Sequence, residues 1–216
     1  MSDLPKQLPL FPLTGALLLP GGVLPLNIFE PRYLNLVSDA LGQGRLMGMV
    51  QPVELDPDDR ESPEGQVPVH ATGCLGRITA FSEIPDGRFM ITLNGVSRFR
   101  VGAELPMVGG YRRFDVDYRD YAGDRHDTEP EIDRESFLAA VRRYFDFSSI
   151  STDWKAIEKS DNATLITSLS MMCPFDAREK QALLECASMA DRGELLTQLM
   201  QMAVRGGTTM GPMGRH

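Results

Sequence analysis

An apolar segment near the start of the chain, interrupted by prolines and glycines, most strongly limits what this sequence can fold into. It covers residues 8–32 (LPLFPLTGALLLPGGVLPLNIFEPR), and no charge occurs between Leu8 and Phe29. A membrane-spanning helix is disfavoured because each interior proline removes a helix hydrogen bond and clashes with the preceding turn. A secretory signal is disfavoured too, since Lys6 is the only early cation and no clear small-x-small cleavage site follows an unbroken apolar run. The segment therefore predicts short buried strands joined by tight turns.

The composition is that of an ordinary, acidic, soluble protein. A chain of 216 residues can bury a substantial core as one domain or two small ones. The net charge of -8 disfavours nucleic acid, because such binding rests largely on Lys and Arg neutralising phosphates. It equally disfavours an anionic membrane surface. Three cysteines are too few for a disulfide framework, so we expect a cytoplasmic protein.

The segment after the apolar run predicts one helix and several strands. Pro31 fits the first turn of a helix, Leu34, Val37 and Leu41 follow at helical spacing, and Gly42 supplies a stop. Residues 45–50 predict a strand, and the acidic residues 54–65 predict a solvated loop. Alternation of apolar and polar residues then predicts strands over residues 73–103 and 114–119.

The sequence predicts a turn and a bulge or bend within this β region. The sequence Ile-Pro-Asp-Gly at residues 84–87 predicts a turn, because proline presets φ and glycine accepts a positive φ. Gly95 lies inside a strand pattern, which indicates a bulge or a sharp bend.

The composition changes after residue 119. Residues 120–130 are acidic and predict a linker, residues 131–205 carry apolar stripes at helical spacing, and residues 206–216 predict a disordered tail. Asp176 is positioned to cap the helix that carries Leu183 and Leu184. The predicted architecture is α+β, with a β-rich half over residues 1–119 followed by an α-helical bundle.

Three motifs resemble the N-terminal substrate-binding domain of the ATP-dependent Lon protease. The first is LPLFPL, an apolar run into Pro20 and Gly21, and then LPLNIFEPRY; the second is GRI at residues 76–78 leading to LNGVSRF at residues 93–99; the third is the helical LLE at residues 183–185. The resemblance spans roughly residues 8–203. It implies a PUA-like β pseudo-barrel with a helix packed on it. It also implies a stand-alone, non-enzymatic binding module that recognises polypeptide segments or a protein partner.

The chemistry of a complete Lon protease is missing from this sequence. No Gly-Lys dipeptide occurs, and a phosphate-binding loop needs that lysine after a glycine turn. The serine motif of the proteolytic module does not occur, and residues 95–99 fail the G-x-S-x-G pattern at the last position. His70 and Cys74 are the closest approach to a metal pair, but structural zinc usually needs four ligands. We therefore expect no enzyme activity, no cofactor and no metal.

Each motif residue either binds a partner or stabilises the fold. The glycines and prolines either shape a ligand groove or permit turns, and the charged residues either contact a partner or form ion pairs within the fold. A buried arginine would in any case require a partner. The candidate residues are Phe11, Pro20, Gly21, Glu30, Arg32, Tyr33, Arg77, Gly95, Arg98 and Phe99.

Two functions of other classes stay open as alternatives. A PUA-like sheet can bind RNA, which a basic stripe interleaved with aromatics would support and the acidic balance opposes. A small-molecule sensor or enzyme would need a deep pocket with convergent polar groups. The sequence predicts neither the ligand nor the oligomeric state.

Overall fold

A computed structural model describes residues 4–54, 67–125 and 129–207 and divides the chain into two compact units. Residues 1–126 form the first, here called the β unit, and residues 127–216 form the second, here called the helical unit. The β unit contains β1 (Gln7–Pro12), β2 (Val23–Ile28), α1 (Pro31–Gly42), β3 (Leu46–Val50), β4 (Thr72–Glu83), β5 (Phe89–Val108), β6 (Tyr111–Asp117) and a 3-10 helix (Arg119–Arg125). The predicted α+β class is confirmed.

Five of the six strands close into a barrel. The strand order is β2-β5-β4-β3-β1-β6, and a further pairing between β5 and β6 closes the ring. β1 and β3 run parallel, while every other pair is antiparallel. The 20-residue β5 makes this possible, since its first half pairs with β2 and its second half with β6. β2 stands outside the ring, so the predicted pseudo-barrel is confirmed with one added strand.

The barrel core is packed around Phe99. This side chain is fully buried, together with residues of β1, β4 and β6. Two glycines make room for its ring: a Cβ on Gly48 would lie 2.8 Å from Phe99 Cζ, and one on Gly73 would lie 2.6 Å from the same atom. Phe99, a candidate binding residue from the sequence, is thus a core residue.

The predicted turn and bulge both occur. Gly87 has a φ of +83° and donates its N–H to the Ile84 carbonyl at 2.9 Å, which forms the tight connection between β4 and β5. The register of these two strands shifts between the pairs Leu75–Ser97 and Gly76–Gly95, so β5 has one extra residue there. β5 nevertheless continues through the bulge as one strand.

Helix α1 begins at Pro31 and ends at Gly42, as the sequence predicts. Its buried face differs from the predicted stripe, because Leu34 and Leu41 are only half-buried. The buried residues are Tyr33, Leu36, Val37 and Ala40. This face packs on β1, β3 and β6.

The helical unit contains α2 (Arg134–Phe147), α3 (Trp154–Lys159), α4 (Asn162–Met172), α5 (Ala177–Glu185) and α6 (Met189–Gly206). Helix α6 packs against α2, α4 and α5. Asp176 caps α5 as predicted: its carboxylate accepts from the Glu179 N–H at 2.7 Å, and the Glu179 carboxylate accepts from the Asp176 N–H at 2.9 Å. This reciprocal arrangement satisfies two N–H groups that the helix itself leaves free.

The predicted linker over residues 120–130 begins too early. Residues up to Arg125 belong to the 3-10 helix of the β unit, because Tyr121 is buried and Asp124 is ion-paired to β5. Residues 126–128 of that prediction lie outside the described part of the chain. So do residues 55–65 of the predicted loop and residues 208–216 of the predicted tail, whereas Gly206 is the last residue of α6.

Candidate functional site

Four candidate residues meet where β1 lies under the start of α1. Glu30 and Arg32 form an exposed ion pair at 2.8 Å, and the Arg32 guanidinium lies 4.6 Å from the centre of the Tyr33 ring. The Tyr33 ring packs edge-on against Phe11 at 4.4 Å. Burial raises the pKa of the Tyr33 hydroxyl. The charged motif residues were expected either to contact a partner or to form an ion pair within the fold, and Glu30 and Arg32 form such an ion pair. Their contacts hold the chain where it enters α1.

Pro20 and Gly21 lie where the chain passes directly over Gly95. The Gly21 N–H donates to the Gly95 carbonyl at 3.0 Å, and the Gly95 N–H donates to the Gly22 carbonyl at 2.8 Å. A Cβ on Gly95 would lie 1.9 Å from the Leu19 carbonyl oxygen. Close backbone approach, and not an unusual backbone angle, therefore requires glycine at this position.

Arg98 has the partner that a buried arginine requires. Its side chain is 5% exposed and pairs with Asp124, 8% exposed, at 2.7 Å. The Asp124 carboxylate also accepts from the Arg98 backbone N–H at 2.8 Å, and the guanidinium lies 4.5 Å from the centre of the Tyr121 ring. This pair anchors the 3-10 helix on β5, which favours the structural interpretation of Arg98.

Arg77 differs from Arg98 because its side chain is exposed. It donates to the Gly44 carbonyl at 3.1 Å. The candidate residues are thus spread over the core, the Gly95 crossing, the start of α1 and the anchor of the 3-10 helix, and they do not form one site. Asp124 was missed because it lies in the segment predicted as a linker, where nothing distinguishes it from its acidic neighbours.

Large apolar side chains are exposed on another part of the β unit. They lie on β2, directly after it, and on the hairpin of β4 and β5. Val23 (56% exposed), Phe29 (63%) and Met90 (43%) are here called the β2–β5 apolar surface, whereas Phe81 (42%) is paired with Ile91 and therefore lies on the other face of the sheet. Phe81 packs edge-on against Phe89 with ring centres 5.0 Å apart. The strand alternation placed Met90 away from the core, but nothing local showed that Val23 and Phe29, on and directly after the strand that pairs with β5, would be exposed too.

A pocket of about 400 Å³ in the helical unit lies between the start of α2 and α6. Four carboxylates line it, from Glu131, Asp133, Asp191 and Glu194. Two of them cap helices: Asp133 accepts from the Ser136 hydroxyl and N–H, which lower the pKa of its carboxyl, and Asp191 accepts from the Ser188 N–H. Their role is thus explained by the fold without a ligand.

Within residues 4–54, 67–125 and 129–207, no three His, Cys, Asp or Glu side chains are grouped so that they could hold a metal ion. No helix in these ranges has the length and apolar character needed to cross a membrane.

The family model of the ATP-dependent protease La (LON) substrate-binding domain matches residues 7–202. The chain belongs to the Lon substrate-binding domain family. Lon protease 2 of Myxococcus xanthus is 29% identical over 115 residues, which are 53% of this chain and 13% of that protein. Lon protease of Heliobacterium modesticaldum is 22% identical over 205 residues, which are 90% of this chain and 24% of that protein. The chain therefore spans less than a quarter of the length of these curated relatives.

Two solved structures are similar over almost their whole length. The Lon N-terminal domain protein from Xanthomonas campestris is 27% identical, with a TM-score of 0.62 over 90% of this chain and 97% of that chain. The N-terminal domain of Lon protease from the Mycobacterium avium complex is 18% identical, with a TM-score of 0.57 over 91% of this chain and 98% of that chain. The second likeness shows the fold alone. The resemblance drawn from the sequence motifs is confirmed.

Proposed function

We propose that this protein recognises exposed segments of other polypeptides through the β2–β5 apolar surface, without cleaving or unfolding them itself. The observation that carries the proposal is the exposure of three large apolar side chains, Val23, Phe29 and Met90, in a chain whose family is a substrate-binding domain. Unfolded or partly folded polypeptides present apolar side chains that such a surface can cover. A cytoplasmic location and a role alongside proteolysis belong to the same proposal.

We expect the recognition to be weak and broad. Each 100 Å² of apolar area removed from water contributes roughly 2.5 kcal/mol, and the ordering of a flexible segment offsets much of it. We therefore expect dissociation constants on the order of micromolar or weaker, about -8 kcal/mol or less in magnitude. The net charge of -8 favours neutral or basic apolar segments.

The chain has two pairs of adjacent arginines, Arg112 with Arg113 and Arg142 with Arg143, and one arginine of each pair is engaged in an ion pair within the protein. The Arg112 guanidinium is paired with Glu104 at 2.7 Å, and Arg142 is paired with Glu158 at 3.3 Å while it lies over the Trp154 ring. RNA binding would require these groups to exchange protein partners for phosphates. No specific geometry favours this alternative, and the acidic pocket of the helical unit opposes anionic ligands.

The proposal is tested with two double variants and a peptide array. Phe29→Ser with Met90→Ser removes two large side chains of the β2–β5 apolar surface. We expect the double variant to lose at least tenfold in affinity for apolar peptides that the wild type binds, because less apolar area is covered. The matched control is Met202→Ser with Met172→Ser, which removes two equally exposed methionines of the helical unit. Equal losses in both variants would show that binding does not depend on the β2–β5 apolar surface.

A further inference from the structure

One strand of the β unit has a free edge. β2 is the terminal strand in the sheet order and pairs only with β5, whereas β1, β3, β4, β5 and β6 each have a neighbour on both sides. No backbone hydrogen bond joins the outer edge of β2 to another residue in the described part of the chain. Free edges present unpaired N–H and C=O groups, and these groups form a template for a further strand.

The register shows which backbone groups face outward. The Gly95 N–H donates to the Gly22 carbonyl at 2.8 Å, so Gly22 directs its backbone toward β5. Backbone direction alternates along a strand, and the β2–β5 register contains no shift. The even-numbered residues of β2 therefore bond to β5, while Val23, Pro25 and Asn27 point outward. Proline fits this position because it has no N–H to offer to a sheet partner.

The outer edge of β2 lacks the charges that usually protect such edges. Its sequence, VLPLNI, contains no charged residue, and the large side chains of Val23 and Phe29 are exposed beside it. Exposed edges normally carry lysine or inward-pointing charges that prevent pairing. Pro25 is the one residue of β2 that opposes pairing at this edge, because it has no N–H. The outward N–H groups of Val23 and Asn27 remain available.

We propose that the outer edge of β2 accepts an extended, apolar segment of a client polypeptide as an additional strand of the sheet. This inference rests on the proposed function and adds how the segment is held. Main-chain hydrogen bonds supply affinity that does not depend on the client's sequence, and the apolar side chains beside the edge select for uncharged segments. Broad recognition follows from this division, because every polypeptide carries the same backbone groups.

A client segment suits this edge better than a second copy of the chain. Two copies of β2 paired antiparallel about Pro25 would place proline against proline, and the central pair would lose both of its hydrogen bonds. A client without proline at that position loses only one of them. Two copies would also each bring a net charge of -8. Self-pairing in this register is therefore disfavoured, while the edge stays open to other chains.

Residue-resolved amide hydrogen exchange on the chain of 216 residues tests the proposal. The probe is a fluorescein-labelled synthetic peptide of alternating valine and threonine flanked by lysines. In the free protein, the amides of Val23 and Asn27 should exchange rapidly, whereas those of Leu24 and Leu26 should be protected by β5. Saturation with the peptide should slow exchange at Val23 and Asn27 at least tenfold.

A pair of double variants supplies an independent test. Val23→Pro with Asn27→Pro removes both outward N–H groups without touching the bonds to β5, and it should weaken peptide binding at least tenfold. Val23→Ala with Asn27→Ala keeps both N–H groups but shortens one side chain of the β2–β5 apolar surface, so the test is the comparison of the two variants: the proline variant should bind at least tenfold more weakly than the alanine variant. If the proline variant does not fold, the exchange measurement on the wild-type protein decides alone.

The outcomes separate this inference from the proposed function. Peptide binding without slowed exchange at Val23 and Asn27 would overturn strand addition and leave peptide recognition standing. Slow exchange of both amides without peptide, dependent on protein concentration, would identify a second copy as the occupant and also overturn the inference. If neither this probe nor any peptide of the array binds, both proposals fail.

Discussion

Gly95 shows how a single residue determines the path of two segments of the β unit. The Leu19 carbonyl oxygen would lie 1.9 Å from a Cβ at this position, and backbone atoms cannot move aside as a flexible side chain can. The crossing also holds Gly21 and Gly22 through hydrogen bonds to Gly95. The position of the segment that leads into β2 therefore depends on the absence of a side chain at Gly95.

We expect Gly95→Ala to lower the free energy of unfolding by roughly 1–3 kcal/mol, because the added methyl group forces the two segments apart. Urea denaturation monitored by circular dichroism measures the change. Gly42→Ala is the matched control, since a Cβ there meets nothing within 4 Å and the residue lies in a helix. A Gly95→Ala protein as stable as the control variant would contradict the close approach of the Leu19 backbone to Gly95.

The three free cysteines differ in their surroundings, which predicts different reactivity. Cys74 and Cys173 are buried, and Cys186 is partly exposed. Burial raises the pKa of the Cys173 thiol from 9.0 to about 12, so at pH 8 it keeps its proton in the folded protein. Thiolate is the reactive form, and access is needed as well.

At pH 8, a disulfide reagent such as DTNB should therefore label Cys186 in the native protein and all three cysteines only after denaturation. Mass spectrometry of tryptic peptides identifies the labelled positions. Between about pH 9 and 12 the unfolded chain loses the Cys173 proton that the folded chain keeps, so this thiol should lower stability as the pH rises. Native labelling of Cys173 as fast as Cys186 would show that its burial is not maintained.

At the scale of elements, the 3-10 helix Arg119–Arg125 depends on one buried ion pair. Breaking a buried pair by removing one partner is costly because a charge is left in a poorly solvated site. We expect Asp124→Asn to lower the free energy of unfolding by about 3–5 kcal/mol. Asp120→Asn, in the same helix, disrupts the exposed pair with Arg100 and should change it by less than about 1 kcal/mol. Similar melting temperatures for the two variants would contradict a structural role of Arg98.

The elements that the sequence predicts correctly depend on residues close together in the chain. The turn at residues 84–87 and the cap at Asp176 each involve residues within four positions, so their chemistry is visible in the sequence. The pairing of Arg98 with Asp124 joins residues 26 positions apart, and the parallel pairing of β1 with β3 joins distant strands. No local pattern encodes such contacts, which is why the linker was predicted to start too early.

The candidate site was less predictable than the fold for the same reason. Alternation along β5 shows that Met90 faces away from the core, but the other side chains of the β2–β5 apolar surface lie on β2 and directly after it, and β2 meets β5 only in the folded sheet. Several motif residues, among them Phe99 and Gly95, proved to shape the core and the Gly95 crossing. The motifs identified the family because several of their residues determine the fold. The β2–β5 apolar surface, in contrast, depends on which strands become neighbours.

At the scale of the whole molecule, the chain combines a β unit and a helical unit, each of which is compact by itself. We propose that these units are two domains and that the 3-10 helix belongs to the first. The β unit carries the β2–β5 apolar surface and the free edge of β2, so we assign polypeptide recognition to it. The helical unit carries an acidic pocket, and two of its four carboxylates serve as helix caps.

The central claim is that this protein binds polypeptide segments and not RNA. Fluorescence anisotropy tests it directly, with a labelled, permanently unfolded reporter protein and a labelled single-stranded RNA titrated side by side at low and high salt. We predict binding of the unfolded reporter on the order of micromolar with little change on adding salt, because apolar burial drives it, and no measurable binding of RNA. Tight binding of RNA that weakens steeply with salt, without binding of the unfolded reporter, would contradict the account.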